Sequence, residues 1–293
     1  MRIAARLLVI GGFVVGCTTA SPGPSTGPSE VPSGTSEPTV SEDAGASRES
    51  WEATVSGLTI RGHCTGSRDA GEPVVVLQPG NGGGEDALAA IEQHLENEAM
   101  VCTFARPGGG GTPGPANLPR PVDAVVAEVH DVLEAAEITP PYFLIGQSAG
   151  AAITFLFAQA YPDDVAGFVF MNGNPPYETW LAAATEADLR QDAMDGAIAD
   201  FSGDNPEQID FRSNESMLTD GLPSDMPYAV IYDECGDGPD CFAAFEGPVF
   251  ERLAAVGAGG RFIWALRAGH EIYLTEPDLV YETIDEVWAE ATD

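Results

Sequence analysis

Ser148 stands in the pentad Gly146-Gln147-Ser148-Ala149-Gly150, after the apolar run "YFLI" and before the small-residue stretch "AAITFLFAQAYP". A serine hydroxyl is a weak nucleophile until a base takes its proton, so the chemistry this serine suggests is covalent catalysis with a partnered general base. The flanking residues predict a strand, a sharp turn and a helix. At such an elbow small residues are needed at Gly146 and Gly150, because the backbone passes too close to its neighbours for larger side chains. A helix beginning at Ala149 adds free N–H groups and partial positive charge where an oxyanion would form.

Four histidines compete for the role of base: His63, His94, His130 and His270. Only His270 lies in a glycine-containing turn after the last predicted strand and before the final helix, where imidazole can swing over a sheet edge toward the serine. His94, on a polar helix face, and His130, among helix positions, read as surface or packing residues, and His63, which adjoins Cys64 on a strand, as structural. A third group must hold the imidazole in its working tautomer and stabilise its charged form. The loop after "PYAVIY" offers Asp233, Glu234, Asp237 and Asp240.

The elements that must position these residues are legible as alternating patterns. "ATVSGLTIRGHC" predicts a hairpin turning near Ser56-Gly57, and "EPVVVLQPG" a strand buried on both faces. "GEDALAAIEQHLENEA" has Leu88, Ile91 and Leu95 at helical spacing and precedes the strand "MVCTFARPG". "PVDAVVAEVHDVLEAAE" starts with Pro121 and aligns Val122, Val125, Val126, Val129, Val132 and Leu133 on one stripe. Further strands are expected at "YFLIGQS", "VAGFVFMNG", "PYAVIYDE" and "RFIWALRAG". The last two are separated by a helical segment, and a closing helix runs on from Pro277. This is an α/β pattern: a mainly parallel sheet with helices on both faces, entered through an antiparallel hairpin. Between about 176 and 221 the alternation breaks into polar helical turns carrying Tyr177, Trp180, Leu181, Phe201, Phe211 and Met217, as in a small lid insertion whose apolar residues line a pocket or anchor the insertion.

The segments "HCTG", "VVVLQPGNGGG", "VCTFARPGGGGTP", "PPYFLIGQSAG", "YPDDVAGFVFMNGNPP" and "GHEIYLTEPDLV" resemble a group of secreted actinobacterial α/β-hydrolases, over nearly the whole of residues 51–293. The resemblance implies the α/β-hydrolase fold, the order nucleophile, acid, histidine, and esterase-like chemistry, with no named substrate. It also implies an oxyanion hole built from the backbone N–H groups of Ala149 and of Asn81 in the early loop "QPGNGGG". Asp237 lies about where such hydrolases keep the acid and is the favoured candidate, with Asp233 and Glu234 as alternatives. Some relatives carry the acid after the preceding strand; here that strand ends "FMNGNPP", with Asn172 in that position. A second glycine-rich loop, "RPGGGGTPGP", reaches the same sheet edge and lacks the Lys-Ser/Thr of a phosphate loop.

The remaining sequence bounds compartment and partners. Residues 1–16 place Arg2 and Arg6 before a short apolar segment, which predicts an export signal, and Val14-Val15-Gly16-Cys17 resembles a lipobox with Cys17 as the acylated terminus. Residues 17–50 are dominated by Ser, Pro, Gly and Thr and are expected to be a disordered tether. The other four cysteines are an even number in an exported chain and permit three connectivities. The proximity of Cys235 and Cys241 pairs them and leaves Cys64 with Cys102. No cysteine or histidine spacing suggests zinc, and neither metal nor organic cofactor is expected. With 12 basic residues, all arginine, against 46 acidic, the formal charge is −34, which excludes nucleic acid as a natural partner and disfavours anionic substrates. The expectation is a membrane-tethered extracytoplasmic serine hydrolase acting on a small neutral ester, less readily an amide; the competing class is a non-catalytic ligand-binding lipoprotein with the same fold.

Overall fold

The computed structural model describes residues 47–184, 190–191, 194–195, 207–234, 243–266 and 268–293. Strands β1 (Glu49–Val55) and β2 (Leu58–Thr65) form the expected hairpin, with Ser56 and Gly57 at φ 51° and 81° carrying the turn. Two successive left-handed residues give the turn twist that matches paired strands. There follow β3 (Val74–Gln78), α1 (Ala89–Leu95), β4 (Val101–Phe104), β5 (Arg120–Pro121), α2 (Val122–Ala135), β6 (Tyr142–Gln147), α3 (Ala149–Ala160) and β7 (Val165–Met171). After α4 (Tyr177–Ala183) come β8 (Ile209–Asp210), β9 (Tyr228–Glu234), a helix over Ala243–Ala254, β10 (Gly260–Leu266) and a closing helix over Pro277–Thr292.

Among the described residues, eight strands form one sheet in the order β1-β2-β4-β3-β6-β7-β9-β10. The β1–β2 and β2–β4 pairs are antiparallel and every other pair is parallel. Every residue of β3, β4 and β6 is buried, as an apolar run covered on both faces requires. One face is covered by the valine stripe of α2 and by α3, which buries every residue from Ala149 to Ala158. The other takes Ile91 and Leu95 of α1 and Val280, Ile284 and Val287 of the closing helix. Helix α1 is shorter than its apolar spacing predicts: its N-cap, Leu88, makes no side-chain capping bond, and the residues before it close as separate turns from Gly84 and Asp86.

Parallel pairing aligns the carboxyl ends of β3, β6, β7 and β9, with Gln78 opposite Gly146, Gln147 opposite Met171 and Met171 opposite Ile231. That edge is where an open α/β sheet places its ligand. The segment from 176 to 221 leaves the sheet after β7 and returns before β9. In its described part Phe211 and Met217 are buried in the main core, so these two anchor the insertion and do not line a pocket. Asn214 ties its two ends: its Oδ1 accepts from the Tyr177 backbone N–H at 2.8 Å and its Nδ2 donates to the Pro175 carbonyl at 2.8 Å. The short β5–β8 pairing, Arg120 with Ile209 and Pro121 with Asp210, is not signalled by any apolar pattern. Phe201 lies outside the described residues.

Cys64 and Cys102 face each other across β2 and β4 and are disulfide-bonded, closing a sequence separation of 38 residues. Cys17, Cys235 and Cys241 lie outside the described residues. Among those described, no helix is long and apolar enough to cross a membrane. Loop closure of this length constrains the unfolded chain by roughly 4 kcal/mol in the entropic account. Replacing both Cys64 and Cys102 by serine should therefore lower the unfolding free energy by about 2–4 kcal/mol in urea titrations. A loss below about 0.5 kcal/mol would show that the unfolded chain is already as restricted without the bond.

Candidate active site

The turn between β6 and α3 is the predicted elbow. Ser148 has φ 55° and ψ −123°, a conformation that side-chain-bearing residues rarely adopt and that places it at the head of α3. Its N–H continues the β6–β7 ladder by donating to the Met171 carbonyl at 3.0 Å. The flanking glycines are there for space: a Cβ on Gly146 would come within 2.4 Å of the Gly150 carbonyl oxygen, and one on Gly150 within 2.0 Å of the Gln78 carbonyl oxygen. Ala149 is the first residue of the helix, so its N–H has no partner within α3.

The early loop runs directly from β3 past the elbow. Gly83 N–H donates to the Gly80 carbonyl at 3.0 Å, and Gly82 has φ 73°, so Gly80 to Gly83 form a tight turn with Asn81 exposed near its tip. A Cβ on Gly80 would meet Gln147 Oε1 at 2.6 Å and the Ser148 Cβ at 3.3 Å, so the loop backbone lies against Ser148. The second glycine-rich loop supports the first: Gly110 N–H donates to the Gly82 carbonyl at 3.1 Å, and a Cβ on Gly109 would reach the Gly83 carbonyl oxygen at 2.8 Å.

His270 reaches this edge from the turn after β10, and it is exposed. Three contacts locate its loop. The Asp233 carboxylate accepts the Ala268 backbone N–H at 2.8 Å, Thr275 Oγ1 donates to the Ala268 carbonyl at 2.6 Å, and Gln147 Nε2 donates to the His270 carbonyl at 3.4 Å. Asp233, named above as an alternative acid, is thus buried at the end of β9 and engaged with the backbone two residues before the imidazole. Asn172, at φ 44° just past β7, brings its Nδ2 to 3.3 Å from His270 Nδ1 and 3.5 Å from the His270 carbonyl. Ser148 and His270 are not hydrogen-bonded to each other, a separation common before substrate binds. Asp237 and Asp240 lie outside the described residues, as does the Glu234 side chain.

The other histidines pack as their positions predict. His63 is buried with Nε2 at 2.8 Å from Glu92, His94 stacks on Tyr281 with ring centres 4.2 Å apart, and His130 stacks on Tyr161 at 4.1 Å. Sequence reasoning missed Gln147 as a support of the histidine loop. It also missed a fully buried ion pair under the early loop, Arg106 with Glu207, joined at 2.9 Å. An arginine beside a glycine run is a faint signal, and its partner is 101 residues away.

The α/β-hydrolase fold family profile matches residues 73–213. The chain has the α/β-hydrolase fold. The chain is 25% identical over 223 residues to YqjL of Bacillus subtilis strain 168, covering 74% of this chain and 84% of that protein. It is 33% identical over 103 residues to RutD of Klebsiella pneumoniae strain 342, whose name describes a carbamate hydrolase, covering 35% of this chain and only 38% of RutD. Among solved structures it superposes on Lip1 of Acinetobacter baumannii AYE, described as a lipase, with TM-score 0.61, 15% identity and coverage of 83% and 92% of the two chains. A proline iminopeptidase-related protein of Thermus thermophilus gives TM-score 0.61 at 18% identity, covering 84% and 99%. At such identities these two structures establish the shared fold.

One part-buried carboxyl is held away from its ordinary behaviour. Glu246, on the helix after β9, accepts from Trp180 Nε1 of α4 at 2.6 Å and from the Tyr232 hydroxyl of β9. Burial raises its pKa above the ordinary 4.5, and the two hydrogen bonds only partly offset that. Burial and the neighbouring Glu246 likewise push the Tyr232 hydroxyl upward. The folded chain therefore keeps the Glu246 proton at pH values where the unfolded chain has released it, and stability falls as pH rises from 4.5 through the folded value. Thermal melts from about pH 4 to 7 should show the parent losing stability relative to Glu246→Gln as pH rises. A difference between the two that stays constant over that range would contradict the buried, protonated carboxyl.

Proposed function

We propose that this α/β-hydrolase is a serine hydrolase that cleaves a small neutral carboxylic ester, less readily an amide, outside the cytoplasm while tethered to the membrane by a lipid on Cys17. The observation that carries the chemistry is the strained Ser148 elbow with a histidine reaching the same sheet edge. His270 takes the Ser148 proton as Oγ bonds to the acyl carbon. The resulting oxyanion is received by the N–H groups of Ala149 and Asn81, each such donor being worth ~10²–10³ in turnover. Protonated His270 then gives its proton to the departing alcohol. Water, deprotonated by the same ring, releases the acid from the acyl-enzyme. The carbamate hydrolase and lipase descriptions of RutD and Lip1 fit acyl transfer of this kind, and the strongly acidic chain favours an uncharged substrate.

The third group follows from tautomer logic. For Nε2 to accept from Ser148, the ring proton must sit on Nδ1. Asn172 presents its Nδ2, a donor, toward Nδ1, which orients the ring but favours the proton on Nε2 and supplies no negative charge. The carboxylate that would displace Asn172 and accept from Nδ1 is sought in the loop after β9, where the resemblance to α/β-hydrolases puts the acid, and Asp237 is the proposed residue, with Asp233 and Glu234 as alternatives. Support for the compartment comes from the lipobox-like Val14 to Cys17 and from the Cys64–Cys102 disulfide, a bond kept in oxidising surroundings.

The full chain exposed to a fluorophosphonate should be labelled at Ser148, as located by mass spectrometry, and the label should disappear in Ser148→Ala and His270→Ala. No labelling of folded protein would replace this reading with a ligand-binding lipoprotein of the same fold. Asp237→Ala should cut kcat by about 10⁴ with the fold intact, the scale seen when a triad acid is lost; full turnover would move the acid elsewhere. Palmitate incorporated by the exporting cell should be absent from Cys17→Ser, and equal incorporation would remove the anchor assignment.

A further inference from the structure

The turn that carries Asn81 is held from beneath by a buried salt bridge. Arg106 is 1% exposed and Glu207 0%. The guanidinium is bidentate on the carboxylate, Nε to Oε2 at 2.9 Å and Nη2 to Oε1 at 3.1 Å. Two of its three remaining donors go to the early loop: Nη1 to the Pro79 carbonyl at 2.8 Å and Nη2 to the Gly80 carbonyl at 3.1 Å. The carboxylate reaches the same loop from the other side, since Glu207 Oε1 accepts the Gly82 N–H. The pair therefore grips the peptide groups on both sides of Asn81.

The direction of the Asn81 N–H follows from this grip. A planar trans peptide sets its C=O and N–H in opposite directions. The Gly80 carbonyl shares its peptide with the Asn81 nitrogen and is turned inward by Arg106 Nη2 and by the Gly83 N–H. The Asn81 N–H is thereby turned outward, on a backbone that lies against Ser148. Lysine could not replace this arrangement, because a point ammonium lacks the planar fork that serves a carboxylate and two carbonyls at once.

We propose that Arg106 and Glu207 are positioning residues for the oxyanion hole, so that the segment inserted between β7 and β9 supplies, through Glu207, part of the scaffold that aims the Asn81 N–H. This rests on the acyl-transfer reading of Ser148. A hole donor acts on the charge that develops in the transition state, so its misplacement lowers kcat and leaves KM nearly unchanged.

The test compares the full-length parent with Arg106→Lys and with the double variant Arg106→Met/Glu207→Leu, on p-nitrophenyl acetate and butyrate. The double variant keeps apolar packing and leaves no unpaired buried charge, so it preserves a fold that a single deletion might lose. In both variants kcat should fall about 10²-fold, the scale of a displacement near 1 Å, with KM within about twofold. Inhibition by a trifluoromethyl ketone, which presents an oxyanion to the hole, should weaken in parallel with kcat/KM. If either folded variant keeps kcat and ketone affinity within about threefold of an active parent, the pair is structural only and the inference is overturned. A parent that neither turns over these esters nor takes the fluorophosphonate overturns the acyl-transfer reading and this inference with it, an outcome distinct from the first.

Discussion

The crossing of α3 over the end of β3 is the contact on which the site depends. At Gly150 the helix comes so close to the Gln78 carbonyl that even a methyl group would fall 2.0 Å from its oxygen. That approach fixes three things together: the head of α3 above the sheet edge, the left-handed backbone of Ser148 that joins β6 to it, and the path of the loop leaving Gln78. Local strain at Ser148 persists because the surrounding packing determines it. Its N–H is held by Met171, Ala149 to Ala158 are buried in the core, and both flanking glycines are pressed against backbone.

Around that crossing, polar groups are used mainly to hold backbone. Asp233 fixes the Ala268 N–H, Gln147 the His270 carbonyl, Asn214 the two ends of the insertion, and Arg106 with Glu207 the early loop. A buried ion pair is expensive to desolvate and is weak evidence for stability by itself. Here two of the arginine's three spare donors reach carbonyls of one loop, which gives the pair a geometric use. Two glycine-rich loops that read as separate features in the sequence are one packed unit in the fold, with Gly110 donating to Gly82.

The candidate nucleophile and base were visible in the sequence because each sits at a change of pattern. Ser148 lies between an apolar strand and a small-residue helix, and His270 between the last strand and the last helix. The covering helices and the strands of the main sheet were visible for the same reason, since a strand buried on both faces is a continuous apolar run and α2 carries a full valine stripe. The two-residue β5–β8 pairing is too short to impose a period, and α1 stops short of its apolar spacing where capping fails. Asp233 was visible as a carboxylate in the right loop, yet its engagement with Ala268 is a contact across 35 residues that no local pattern encodes.

By itself the sequence determined the α/β class, the elbow and the Cys64–Cys102 pairing, because these rest on local periodicity, on space around small residues and on counting. Tertiary structure alone decided that Asn172 faces His270 Nδ1, that Phe211 and Met217 anchor the insertion, and that Glu207 meets Arg106 beneath the loop carrying Asn81. Those outcomes depend on which side chains long-range packing brings within about 3 Å, the reach of a hydrogen bond, and residues a hundred positions apart carry no shared period to announce it.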